Sequence, residues 1–233
     1  LYRQDTGEAA CALFDEGYLT DVRTAVAGAI AAKYLAPRKV ECIGIVGTGT
    51  QARLQLRYLD AVTDCRTVLA WGRREESLGR YQDEMSRAGY DVKTTSDARD
   101  VLDQCNLVVT TTPAKNPLLT VAGLRPGTHI TAVGSDTPQK QELGAAVLTR
   151  ADLVVADSIE QCLVRGEIHR AIKAGSIDRG DAVELGDVIA GRTPGRTSED
   201  QITVADLTGV AVQDIKIAEA VFRAVIRAGT WAS

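Results

Sequence analysis

No stretch of this 233-residue chain is apolar for long enough to cross a bilayer, which takes about 20 consecutive residues. No signal-peptide pattern opens it. An excess of basic charge is missing too: 27 Lys and Arg against 31 Asp and Glu leave a net charge of −4. Nucleic acid and anionic membranes both select a basic face, so neither is expected as a partner. Histidine is scarce. His129 falls in an apolar strand and His169 in a charged helix, and neither has a carboxylate-histidine cluster beside it. No metal site is expected, and both are weak candidates for a catalytic base. The five cysteines (Cys11, Cys42, Cys65, Cys105 and Cys162) are odd in number and far apart, with no C-x-x-C pair. A disulfide framework or a thiolate metal site is therefore not expected. They read as small buried hydrophobes of a protein in the reducing cytoplasm.

What remains is an ordinary globular composition, 45% apolar and 25% charged, long enough for one or two domains. Residues 1–19 read as a β-hairpin turning at Asp5-Thr6-Gly7, with an apolar second strand from Ala9 to Phe14. Thr20 is placed to cap a helix running to about Leu35, which Pro37 ends. Its small residues Ala25, Ala27, Gly28 and Ala29 permit close packing. From Val40 onward, short apolar strands alternate with helices. The strands are 42–46, 67–71, 92–94, 107–111, 130–133 and 153–156. The helices are 50–61, 75–88, 97–103 behind a Ser96 cap, and one near 158–164. Continuous apolar strands joined by helices imply a parallel sheet covered on both faces. Right-handed crossovers make it a doubly wound, Rossmann-type α/β fold. The tail adds a helix over 168–174, a Gly/Pro/Arg/Thr loop over 191–198, a strand over 202–207 and an amphipathic helix over 210–228. Val212, Ile215, Ile217, Ala220, Val221 and Val225 form its apolar face.

Four pieces carry chemistry. Gly47-Thr48-Gly49-Thr50-Gln51-Ala52 fits G-x-G-x-x-A directly after a strand and opening a helix. Gly47 permits the tight turn, Gly49 lets the backbone approach a pyrophosphate, and Ala52 keeps helix and strand close. At the end of the next strand stands Trp71-Gly72-Arg73-Arg74-Glu75-Glu76. Arginines there suit the 2′-phosphate of NADP and stack on adenine, so NADP(H) is favoured over NAD, or both are accepted. In the other reading Arg73 and Arg74 are solvated, and Glu75 or Glu76 reaches the ribose. After the fifth strand, Asp136 lies at the carboxyl edge of the sheet, placed to exchange a proton or hold a cationic nitrogen; a turn carboxylate has the same spacing. Arg23 lies one turn into the first helix, as a carboxylate or pyrophosphate clamp or as a plain surface arginine.

Together these stretches resemble the ornithine cyclodeaminase/μ-crystallin family. The resemblance rests on Leu19-Thr20-Asp21-Val22-Arg23-Thr24-Ala25, on the glycine loop continued to Arg53, and on Val109-Thr110-Thr111-Thr112-Pro113. It rests further on Ala132-Val133-Gly134-Ser135-Asp136 with Lys140 and Glu142-Leu143, and on Asp206-Leu207-Thr208-Gly209-Val210-Ala211-Val212-Gln213-Asp214. Within the family, Trp71-Gly72-Arg73-Arg74 and the Gln161-Cys162 region look most like the ectoine-utilisation cyclodeaminase homologues and the related iminosuccinate reductases. The resemblance implies hydride transfer between NAD(P) and the carbon of an amine or imine beside a carboxylate. It implies that Arg23 contacts the substrate carboxylate and cofactor phosphate, and that Asp136 is the acid/base group. Thr111 and Thr112 would line the cofactor groove with Val133 and Gly134, and Leu207 and Thr208 would approach the nicotinamide.

The activity so implied is reduction of a small α-imino acid. A cyclodeaminase that retains its NAD, or a non-enzymatic NADP-dependent binding protein like the crystallin, are the alternatives. The expected division is a remnant of a substrate and dimerisation domain in 1–38, a Rossmann domain in 39–205, and a C-terminal helix in 206–233 returning to the first. Family members carry a further N-terminal segment with a catalytic lysine, and the chain opens at Leu1 without that motif. As it stands, it is expected to bind dinucleotide moderately at best and to turn over little; the full-length protein is expected to be a homodimer.

Overall fold

Short runs, most of them apolar and rich in β-branched residues, build the frame of the computed structural model, which describes residues 1–229. They form eight strands: β1 (Ile43–Val46), β2 (Thr67–Trp71), β3 (Asp91–Thr95), β4 (Leu107–Thr110), β5 (His129–Ala132), β6 (Leu153–Ala156), β7 (Ala182–Glu184) and β8 (Thr203–Asp206). All pair in parallel, in the order β3-β2-β1-β4-β5-β8-β6-β7. The helices are α1 (Tyr18–Leu35), α2 (Thr50–Tyr58), α3 (Glu75–Arg87), α4 (Arg99–Gln104), α5 (Ala145–Arg150), α6 (Ile159–Cys162), α7 (Gly166–Lys173), α8 (Leu185–Ile189) and α9 (Ala211–Arg227). This is the expected doubly wound α/β architecture.

The two-residue period of the strands divides the interior. Ile43 and Ile45 of β1, with Leu107 and Val109 of β4, pack under α1, α2 and α3 beside Leu35, Leu56 and Tyr81. Val46 and Val108 face the other way, among Val101, Leu102, Ile130 and Leu148. With both faces covered, β1, β4, β5 and β8 are buried along their whole length; β1 and β4 run nearly apolar, whereas β5 and β8 also bury His129, Thr131, Thr203 and Asp206.

The small residues of α1 do what their size allows. Ala25, Ala27, Gly28, Ala29, Ala31 and Ala32 are buried, and α1 lies against α2. A Cβ on Gly28 would stand 2.0 Å from Gln55 Oε1, and Gln55 is itself 1% exposed. Gly28→Leu should therefore cost about 1–3 kcal/mol by overpacking. Thermal unfolding reads this directly; an unchanged midpoint would show that the α1–α2 contact yields freely.

Three local expectations are corrected. Residues 1–19 do not form a hairpin of two strands: one antiparallel bridge, Tyr2 to Ala9, closes a turn, and Ala9 to Phe14 is not a strand. A lone two-stranded ribbon has too little to pack on, and Phe14 is 97% exposed. Thr20 does not cap α1, which starts two residues earlier. Asp15 accepts the Leu19 amide at 2.6 Å, and Thr20 sits inside the helix, its carbonyl accepting the Thr24 hydroxyl. Ser96 does not cap α4, whose N-cap is Ala98; Asp97 accepts the Arg99 amide at 2.9 Å. The sequence reading also passed over α5, β7 and α8, which are three to six residues long.

Burial accounts for His129 and part of the cysteines. His129 is enclosed, with Nδ1 on Thr203 Oγ1 (2.8 Å) and Nε2 on Thr131 Oγ1 (2.9 Å). Burial holds its pKa down to about 3, as a neutral core histidine. Cys105 and Cys162 are buried, whereas Cys11, Cys42 and Cys65 are half-buried, and all five are free thiols. Far apart in the chain, Cys42 and Cys105 meet across its fold, Sγ to Sγ at 3.2 Å. No group of three or more His, Cys, Asp or Glu among the described residues is placed to hold a metal. Among the same residues, no helix is long and apolar enough to span a membrane. Residues 230–233 of the expected C-terminal segment lie outside the described residues.

Candidate functional site

Parallel strands all point their carboxyl ends to one edge, so the loops after β1, β2, β4, β5 and β8 arrive there. The sheet order reverses between β1 and β4, the switch point where doubly wound sheets take ligands. A cavity of about 830 Å³ opens at that point. Gly47, Thr48 and Gly49 after β1, Arg73 and Arg74 after β2, and Thr111 and Thr112 after β4 line it.

The glycine loop is locked from behind. Gly47 has φ +122°, and a Cβ there would meet Thr111 Oγ1 at 2.6 Å, so only glycine makes this turn. Gly49 is different: its backbone is extended (φ −85°, ψ −169°), and no atom lies within 4 Å of where its Cβ would stand. Thr50 opens α2, whose N-terminus no side chain caps, leaving first-turn N–H groups for a ligand. Ala52 is buried under the sheet, as expected. Gln51 turns away from the cavity and donates to the carbonyl (3.1 Å) and carboxylate (2.9 Å) of Asp21 on α1. Arg53, assigned no role from sequence, holds the loop: its guanidinium donates to the carbonyls of Thr48 and Gly49, pairs with Glu84 at 2.6 Å and lies over the Tyr81 ring.

At the end of β2, Arg73 and Arg74 are both exposed on the cavity wall, joined by Ser77 and Arg80 of α3. Glu75 and Glu76 are not on that wall; Glu76 pairs with Arg80 at 2.8 Å. The cationic wall continues across the opening at Lys115.

Asp136 stands on the loop after β5. Its side chain is 55% exposed and pairs with Lys140 Nζ at 2.6 Å. The loop's base is buried. Glu142 is fully enclosed and accepts from Thr110 Oγ1 (2.7 Å), the Thr112 amide (2.5 Å), Thr112 Oγ1 (2.8 Å) and the Gly134 amide (2.8 Å). Burial raises its pKa against the pull of those donors. Val133 is buried beneath, its amide on the Thr110 carbonyl.

The loop after β8 closes the other side. Leu207 and Thr208 are buried, and Thr208 Oγ1 and the Gly209 amide donate to Asp157 at 3.1 and 2.6 Å. Arg23 reaches this loop from α1. It is only 15% exposed on its side chain, so it is no plain surface arginine. It pairs with Asp214 of α9 at 2.5 Å and donates to Gln213 at 2.8 Å, over Gly209.

The structure thus gathers Gly47, Thr48, Gly49, Arg73, Arg74, Thr111 and Thr112 around one cavity. Val133, Gly134, Asp136, Leu207, Thr208 and Arg23 stand along the same edge without lining it. Sequence reasoning missed Arg53, Ser77, Arg80, the half-buried Asp157 and the buried acids Glu142, Glu167 and Asp206. Of these, Arg53, Glu142 and Asp206 had a signal, as members of the quoted stretches.

Comparison with known proteins follows this geometry. The family model for the ornithine cyclodeaminase/mu-crystallin family matches residues 1–228. An uncharacterized cyclodeaminase of Sinorhizobium fredii is 45% identical over 225 residues, 96% of this chain and 68% of the relative. The iminosuccinate reductase of Paracoccus denitrificans is 36% identical over 221 residues, 95% of this chain and 68% of the relative. Its crystal structure with NAD+ superposes with a TM-score of 0.91 at 35% identity, over 98% of this chain and 70% of that one. An archaeal alanine dehydrogenase dimer with bound NAD gives 0.93 at 36% identity, over 100% of this chain and 71% of that one.

Proposed function

Because the chain belongs to the ornithine cyclodeaminase/mu-crystallin family, we propose that it reduces a small α-imino acid to the amino acid, with a nicotinamide dinucleotide as the hydride donor. The observation that carries this reading is the meeting, at one sheet edge, of a glycine loop built for pyrophosphate with Asp136 and Arg23. The residues fit a dinucleotide. Nothing in the chain itself demands glycine at Gly49, whose backbone any residue adopts; an approaching phosphate does. The first-turn N–H groups of α2 and the loop held by Arg53 would bind the pyrophosphate, and Thr111 and Thr112 would flank it. Bound there, the cofactor supplies hydride to the imine carbon. The chain's own residues do the rest. Arg23 binds the substrate carboxylate, exchanging Asp214 for it. Asp136 orients the imine nitrogen and, once it has taken up a proton, hands over the one that nitrogen gains as carbon takes the hydride. Leu207 and Thr208, both buried, keep water from the reacting carbon.

The finer cofactor choice follows the cavity wall. Arg73, Arg74, Ser77 and Arg80 form a binding wall for a 2′-phosphate, which favours NADP(H), while Glu76 is engaged by Arg80. The chain also works as a homodimer in this reading. Tyr18 on α1 and Val212 and Ile215 on α9 are each more than half exposed, an apolar face that a second copy would cover.

A second reading has its own support: the 45% identical relative carries a cyclodeaminase name. One assay separates the two. The full-length protein is incubated with NADH or NADPH and a panel of imines: small α-keto acids with ammonia or methylamine, iminosuccinate, and cyclic ketimines. Net nicotinamide oxidation with at least one of them is the expected result. Ammonia release from ornithine with no net change in nicotinamide absorbance would instead establish the cyclodeaminase. Light scattering on the same preparation should report a dimer; a monomer at assay concentration would contradict the dimeric part.

A further inference from the structure

Asp136 is exposed, and its ion pair with Lys140 ties it to a residue of its own loop. A carboxylate so placed has no fixed position unless the loop has one. The loop's position is set by Glu167 on α7, a side chain that the family resemblance did not single out. Glu167 is 1% exposed. Its Oε1 accepts the Ser135 hydroxyl and the Glu142 amide (2.7 Å), and its Oε2 accepts the Leu143 amide (3.0 Å). Ser135 immediately precedes Asp136, and Glu142 and Leu143 follow Lys140, so one buried carboxyl group grips both ends of the loop. Glu142, whose amide Glu167 holds, reaches on to Gly134 and to the β4 loop at Thr110 and Thr112. The donors gripped by these two carboxyls lie at the end of β4 (Thr110) and in loop residues Thr112, Gly134, Ser135, Glu142 and Leu143, at the functional edge.

We propose that Glu167 is a positioning residue, which fixes Asp136 for its reaction by clamping the loop 135–143 at both ends. This rests on the reading of Asp136 as the proton-transfer group. Three donors aimed at one carboxyl group favour its ionised form, because a protonated carboxyl has one acceptor site fewer. Burial, with the Glu142 carboxyl adding to it, outweighs the pull of those donors and pushes its pKa up to about 7; the buried Asp206 of β8, itself raised by burial and by Glu167, stands beside it. The clamp is complete above that value and loosens below it.

Glu167→Gln keeps the shape and fixes a neutral group that cannot accept all three bonds. In the imine-reduction assay kcat should fall about tenfold at pH 8, with the dinucleotide KM unchanged. The wild-type profile should rise through about pH 7 and meet the flat profile of the variant below pH 6. A variant with unchanged kcat, or one whose profile runs parallel to wild type at all pH values, overturns the proposal. So does a loss of dinucleotide binding equal to the loss in kcat, which would mark a general scaffold acid. Ser135→Ala, which leaves Glu167 and its backbone bonds in place, should lower kcat about threefold with normal folding. Amide hydrogen exchange gives a readout independent of turnover. Exchange at 134–143 should quicken in both variants, while the 47–49 loop stays protected. If wild type reduces no imino acid but this exchange pattern holds, the functional reading fails and the clamp stands; if turnover is normal and exchange is unmoved, the clamp alone fails.

Discussion

Asp136→Ala is expected to lower turnover of an α-imino acid by about 10²–10⁴-fold, the usual worth of a positioned proton-transfer group, while leaving dinucleotide affinity within about twofold. The separation of effects follows from the sheet. The dinucleotide loop follows β1 and its wall follows β2 and β4, whereas Asp136 follows β5 and is absent from that wall. Stability should hardly move, since the side chain is 55% exposed and its pair with Lys140 is a surface pair. Asp136→Asn sharpens the test. The amide retains a hydrogen-bonding oxygen for Lys140 but has no proton to give, so it should be nearly as inactive as the alanine variant. Steady-state rates with dinucleotide fluorescence titration measure both quantities. A variant with wild-type kcat would remove Asp136 from the chemistry.

Replacing Arg73 and Arg74 together by Ser should reduce kcat/KM for NADPH by about 10- to 100-fold and leave NADH within about threefold. Each hydrogen bond from a guanidinium to a phosphate is worth about 1.5–3 kcal/mol in a closed site. Both side chains are exposed, so solvent screening takes the combined effect toward the lower part of the product. The neutral 2′-hydroxyl of NADH offers no charge to either arginine, so its loss should be small. If NADH suffers equally, the arginines serve the pyrophosphate or the adenine. If neither cofactor is affected, they are solvated and the cationic wall has no part in recognition.

The legible parts of this protein were those whose signal is local in the chain. The strand, loop and helix at Ile43 to Tyr58 lie within sixteen consecutive residues, so the pattern of glycines there has one structural meaning. Asp136 and Arg23 were legible as roles only through the family resemblance; by spacing alone a turn carboxylate and a surface arginine fitted as well. Helix caps were harder, because several cap-forming residues precede each helix. The N-caps are Gly17 and Ala98, and the amides of Leu19 and Arg99 go to Asp15 and Asp97 instead of Thr20 and Ser96, by the direction in which the chain enters, which no propensity encodes. The clamp by Glu167 was invisible because it joins residues 24 to 32 positions apart. A buried acid in a charged helix has the sequence signature of a solvated one. The meeting of Cys42 with Cys105, 63 positions apart, was hidden in the same way.

The α9 helix has no buried residue along its 17 positions and rests against α1, so its local unfolding free energy lies far below that of the sheet. Its amides should be among the first in the molecule to exchange with solvent. The same helix brings Asp214 and Gln213 to Arg23. Each transient opening of α9 therefore releases a guanidinium, and each closing covers it again with an internal carboxylate. A small acid entering the site competes with a tethered one, and its apparent affinity falls by the fraction of time that α9 stays docked. Whatever covers the outer face of α9 then sets how readily Arg23 can be reached.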